Sequence, residues 1–98
     1  MTALSAQVCV RNRLGLHARA AIKLVELVQD YDAQVTLQTD TKSANADSVM
    51  AMLMLESAQG ETITVSADGP QSALALDAVK ALFDAGFDED TVTSHATT

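Results

Sequence analysis

Gly15-Leu16-His17-Ala18-Arg19-Ala20-Ala21 stands where one hydrophobic period gives way to another. Before it, Ala6 to Arg11 alternates, with Val8 and Val10 on one face and Gln7, Cys9 and Arg11 on the other. A period of two predicts a half-buried strand. After it, from Ala18 to Gln29, Arg19, Lys23 and Glu26 recur three or four residues apart, while Ala21, Ile22, Val25 and Val28 face the other way. That spacing predicts an amphipathic helix. Gly15 permits the sharp turn between the two. His17 therefore stands at a helix N-terminus, where free backbone N–H groups and the positive end of the macrodipole favour an anion.

The charge distribution agrees. Residues 1–25 hold Arg11, Arg13, Arg19 and Lys23 and no acid, a net +4, whereas residues 26–98 carry a net −11. A cationic corner on an acidic chain is a place to receive negative charge. The dipole contributes about 0.3–1 kcal/mol, and a charge-assisted hydrogen bond from Arg19 about 1.5–3 kcal/mol. Neither holds a free anion tightly in water; together they suit a phosphoryl group already bonded to His17. A lone histidine at a helix start also serves simply as a cap or as a solvated residue, and spacing alone does not separate these readings.

Outward from this stretch, Asp30-Tyr31-Asp32 breaks the helical period and Ala33 to Gln38 alternates, with Ala33, Val35 and Leu37 inward. Thr39-Asp40-Thr41 reads as a turn and Lys42-Ser43-Ala44 as a short paired strand. Asp47 or Asn45 suits the N-cap of a second helix. Thr62 to Ala67 alternates again, with Ile63, Val65 and Ala67 inward. Asp68-Gly69-Pro70 turns the chain and is expected to set Pro70 in the first turn of a last helix. That helix buries Ala75, Leu76, Val79, Leu82 and Phe83 and ends near Gly86. The order βαββαβα, with one-sided strands and helices, implies an α+β fold: a four-stranded, mostly antiparallel sheet with three helices on one face. Residues 1–90 form one domain, and the polar composition of 91–98 predicts a disordered tail.

Composition excludes several classes. A net charge of −7 argues against nucleic acid and anionic membranes. The single Cys9 allows no intrachain disulfide and fits a reducing cytoplasm. Met1 to Gln7 lacks the pattern of a signal peptide, and no apolar run approaches the roughly 20 residues that span a bilayer. No Cys/His/carboxylate group has metal-ligand spacing, and no Gly-rich nucleotide loop is present, so neither a metal nor a cofactor is expected. His95 reads as solvated, and Asp88-Glu89-Asp90 as a solubilising end.

Val49-Met50-Ala51-Met52-Leu53-Met54-Leu55 is apolar on all sides. It fits a core helix, a buried strand, or a short helix whose outer face docks a partner; methionine suits the last because its unbranched thioether repacks easily. Ser48 reads first as a further capping residue for this segment.

Asn12 to Ala21 resembles the active-site segment of the HPr family, the histidine-containing phosphocarriers of the bacterial phosphotransferase system. The likeness spans roughly residues 5–87 and includes Gly-x-His-x-Arg, the serine in Asp47-Ser48-Val49-Met50, and Gly69-Pro70 before the last helix. Sugar-branch members usually carry proline after the arginine. Ala20 here, with Gly86-Phe87-Asp88-Glu89-Asp90, is more similar to the nitrogen-regulatory, NPr-like branch. The resemblance implies an open-faced β-sandwich. It also implies that His17 accepts a phosphoryl group on Nδ1, stabilised by the Arg19 side chain and by the backbone N–H groups of Ala18 and Arg19. An enzyme I-type protein would donate the group and an enzyme IIA-type protein accept it. Ala20, Val49, Leu53 and Met54 would form the docking surface, with Met50, Met52 and Leu55 more inward, and Ser48 would match a regulatory site for an HPr kinase. Such a protein is a monomeric cytoplasmic carrier, not an enzyme. The alternatives are a sugar-branch carrier and a regulatory module acting through the Met-rich helix alone.

Overall fold

Alternation of apolar residues with Ser, Thr and Gln builds the sheet. The computed structural model describes residues 3–55 and 58–88. The elements run β1 (Leu4–Cys9), α1 (Ala18–Val28), β2 (Gln34–Gln38), β3 (Ser43–Asn45), α2 (Val49–Leu53), β4 (Thr62–Asp68) and α3 (Ser72–Asp84), followed by a single 3-10 turn at Gly86–Asp88. The expected order βαββαβα holds. Spatially the strands lie β1-β4-β2-β3, every neighbouring pair antiparallel.

Register explains the two faces. Ala6 pairs with Val65 and Val65 with Leu37, one row across three strands. The adjacent row is Gln7, Thr64 and Gln38. Because successive side chains alternate, the first row and its neighbours Val8, Ile63, Val35 and Ala67 turn toward the helices, all of them buried except Ala6, which is half-buried. The second row faces water. Leu24 of α1, Met52 of α2 and Val79 and Phe83 of α3 close over the buried rows as one core.

The last helix ends as a glycine stop predicts. Ala85 is the C-cap and Gly86 adopts φ 63°. Phe87 follows at φ 56°, a left-handed conformation that costs a non-glycine residue about 1–2 kcal/mol. The cost is offset locally. Phe87 is fully buried, and its ring meets that of Phe83 edge-on, with centroids 4.8 Å apart and planes at 68°.

Several sequence expectations need correction. β1 starts and ends two residues earlier than the alternation suggested, and Val10 stays buried just past its end. Ile22 is exposed; the buried arc of α1 is Ala20, Ala21, Leu24 and Val28. Pro70 lies outside α3, whose N-cap is Gln71. Gln71 does what proline, lacking an N–H, cannot: its backbone N donates to Asp32 O (3.0 Å) while its Oε1 accepts from Asp32 N (2.7 Å), fastening α3 to the loop after α1. Ser48, rather than Asp47 or Asn45, is the N-cap of α2, its Oγ accepting from Ala51 N at 3.2 Å. α2 ends at Leu53, where Lys42 Nζ donates to Met54 O (3.1 Å), a cation on the negative end of the helix. The expected tail at 91–98, with His95, lies outside the described residues.

Candidate functional site: the turn at His17

The turn is assembled by its own backbone and one buried amide. Asn12 is fully buried, and its Nδ2 donates to Gly15 O at 2.6 Å. Gly15 N returns a bond to Asn12 O (3.2 Å), and His17 N donates to Gly15 O (3.0 Å). Gly15 sits at φ 71°, which side chains with a Cβ rarely adopt. Leu16 is buried beneath the turn, whereas Leu14 projects from it, 69% exposed.

His17 is the N-cap of α1. Its backbone is extended (φ −90°, ψ −179°), its carbonyl accepts from Ala21 N at 2.9 Å, and its Nδ1 accepts from Arg19 N at 3.2 Å. The last bond fixes the chemistry of the ring. A nitrogen that accepts cannot carry the proton, so neutral His17 is the Nε2–H tautomer with its basic lone pair at Nδ1. That lone pair points at the positive end of α1, into the N–H groups of a first turn that have no i−4 carbonyl within the helix. An electrophile received at Nδ1 is met by oriented donors.

The other expected residues separate into three groups. Ala18 and Arg19 occupy the first turn with exposed side chains, Arg19 contributing the only formal charge there among the described residues. Val49 and Leu53 lie on α2, which packs against α1, and Met54 is its C-cap; Val49 and Leu53 are half-buried and Met54 is 67% exposed. Ala20 is fully buried in the core and offers no surface to a partner. Met50, expected inward, is 69% exposed, while Met52 and Leu55 are indeed buried. Helical spacing, which the C-cap Met54 continues with its αR backbone, explains the difference: residues 50 and 54 share one side, and 52 lies across the axis. Ser48 is half-buried, its hydroxyl engaged as a cap.

Sequence reading passed over Asn12. The signal was available, since an asparagine three residues before a glycine is a turn-forming pair. Among the described residues no group of three or more His, Cys, Asp or Glu could hold a metal ion, and no helix is long and apolar enough to cross a membrane. A groove of about 850 Å³ on the polar side of the sheet, reached by Gln7, Thr64 and Asp40, includes no residue of the His17 turn.

Comparison with known proteins follows the same lines. Residues 4–85 match the family described as PTS HPr component phosphorylation site. The chain belongs to the HPr family. Within the family it is NPr-like. It is 57% identical over 82 residues to phosphocarrier protein NPr of Klebsiella oxytoca, covering 83% of this chain and 91% of that one. It is 40% identical over 88 residues to phosphocarrier protein HPr of Xylella fastidiosa strain Temecula1, covering 90% and 99%. In structure it is similar to a crystal structure of HPr-C-His from Thermoanaerobacter tengcongensis, with TM-score 0.83 and 30% identity over 88% of this chain and 97% of that one. The shared HPr fold places the His17 turn at the head of α1 in an open-faced sandwich, as the sequence implied.

Proposed function

We propose that this HPr-family chain is a cytoplasmic phosphocarrier of the nitrogen-regulatory phosphotransferase system. His17 takes a phosphoryl group from a phosphoenolpyruvate-dependent enzyme I-type donor and passes it to an enzyme IIA-type acceptor. The observation that carries this reading is the bond from Arg19 N to His17 Nδ1. It holds an unprotonated ring nitrogen against a helix N-terminus, where a phosphoryl group is best received.

The step balances without an external base. The Nδ1 lone pair attacks phosphorus, the donor's P–N bond breaks, and its electron pair stays with the donor imidazole. His17 keeps its Nε2 proton throughout. The three phosphoryl oxygens carry charge in transit, and the N–H groups of Ala18 and Arg19 with the Arg19 guanidinium stabilise it. The His17 turn supplies an acceptor and an electrostatic cradle, and each partner completes the transfer site. Docking through Val49, Met50, Leu53 and Met54 suits a brief encounter, since a carrier that must leave needs an interface below ~1,200 Å². A monomer meets that requirement.

The test is intact-protein mass after incubation with phosphoenolpyruvate, Mg²⁺ and a nitrogen-branch enzyme I. The expected result is the gain of one acid-labile phosphoryl group, absent in His17→Ala. No gain from either branch's donor overturns the proposal.

A further inference from the structure

We propose that Gln59 is a positioning residue for the His17 turn, holding the Arg11 carbonyl so that the loop leading to His17 keeps its receiving geometry. The kinetic part of this inference rests on the phosphocarrier reading; the positional part does not.

β1 and β4 pair down to Cys9 and Thr62. The ladder then continues for one more residue, with Val10 N donating to Glu61 O (2.9 Å) and Gly60 N to Val10 O (2.8 Å). Past Val10 the partner strand turns at Ala58–Glu61, and among the described residues no backbone N–H of that ladder bonds the Arg11 carbonyl. A side chain takes over: Gln59 Nε2 donates to Arg11 O at 2.9 Å, across 48 residues of sequence. Gln59 projects from a turn that is closed on itself, Glu61 N donating to Ala58 O (3.1 Å) and Ala58 N to Glu61 Oε1 (3.0 Å). The donor is thus held by a structured turn.

The Arg11 carbonyl lies in the same rigid peptide plane as the Asn12 N–H, so fixing it constrains how Asn12 enters the turn. Asn12 then bonds Gly15, and Gly15 bonds His17. The relay from Gln59 to the phosphoryl-accepting residue is therefore continuous. Gln59 is exposed, so it contributes nothing to core packing. The Arg11 side chain does not substitute for it: its ion pair with Asp84, at 3.7 Å between two largely exposed groups, is weak.

Gln59→Glu keeps the size of the side chain but replaces the donor with an acceptor facing a carbonyl. Gln59→Lys restores a donor. In the unphosphorylated full chain, Gln59→Glu is expected to speed amide exchange at Gly15 and His17 by about 3- to 10-fold, the loss of one net hydrogen bond, with Gln59→Lys near wild type. With an enzyme I-type donor, Gln59→Glu is expected to lower kcat by a similar factor of about 3 to 10 while KM stays within about twofold, because α2 is untouched. Unchanged exchange in Gln59→Glu overturns the inference. So does faster exchange spread over the whole chain with a fall in Tm, or Gln59→Lys behaving like Gln59→Glu. If the wild-type chain accepts no phosphoryl group, the functional reading fails, and the exchange comparison alone still decides the role of Gln59.

Discussion

Met50, Met52 and Met54 lie within five residues of one another, yet the first and last are about two-thirds exposed and the middle one is fully buried. Truncating each to alanine should separate docking from stability. Burying a whole methionine side chain contributes roughly 1.5–3 kcal/mol. The exposed two-thirds of Met50 or Met54, covered by a partner, is then worth about 1–2 kcal/mol. At 1.4 kcal/mol per tenfold, Met50→Ala or Met54→Ala should weaken binding to an enzyme I-type donor by about 5- to 30-fold. Stability should stay within about 0.5 kcal/mol, as for other surface changes. Met52→Ala instead opens a cavity costing about 2–5 kcal/mol. For a domain of this size that lowers Tm by at least about 8 °C. Titration calorimetry with the donor, paired with thermal unfolding of each variant, reads both quantities. Binding within about twofold of wild type for both surface variants would refute the docking assignment of α2.

Arg19→Ala should slow phosphoryl transfer by about 10- to 100-fold, the worth of one charge-assisted hydrogen bond, with Tm almost unchanged because the side chain is exposed; rapid-quench kinetics measures it. Ser48→Ala removes the α2 cap and should cost about 1 kcal/mol, seen as a fall in Tm of roughly 4–8 °C. Ser48→Asp keeps a capping oxygen and so the stability, but places negative charge beside the apolar face of α2 and should weaken donor binding in the same calorimetric assay. Gly86→Ala has room, its Cβ meeting Asn12 Cβ at 3.7 Å, so only the left-handed φ is penalised, by about 1–2 kcal/mol in denaturant unfolding.

How far the sequence could be read depended on whether a residue's neighbours lie along the chain or across it. Val35, Leu37, Ile63, Val65 and Ala67 were legible because strand alternation repeats their burial locally. The place of His17 was legible because the change of period and Gly15 sit within a few residues of it. Which edge of a helix faces the core is a tertiary fact, so Ile22 and Met50 were assigned inward when packing leaves them exposed. Pro70 signalled a helix start one cap too early, since the bonds between Gln71 and Asp32 that set the boundary span 39 residues. Gln59 gave no local sign at all; its partner, Arg11, is 48 positions away. Motif resemblance implied both the role proposed for His17 and the use of Nδ1, and the bond from Arg19 N to that same nitrogen is the structural observation that agrees with it.

That bond has a bearing on how cargo and carrier relate. On the proposed function, the lone pair that caps α1 is the same one that a phosphoryl group would occupy, so loading would remove the cap and at once offer the group's own oxygens to the same amides. One occupant of the socket would leave as another arrives. The helix would keep an acceptor at its head in both states, and the backbone beneath would have little reason to move. A charged and an uncharged carrier would then present one silhouette, and partners would tell them apart by the dianion itself and not by a changed shape.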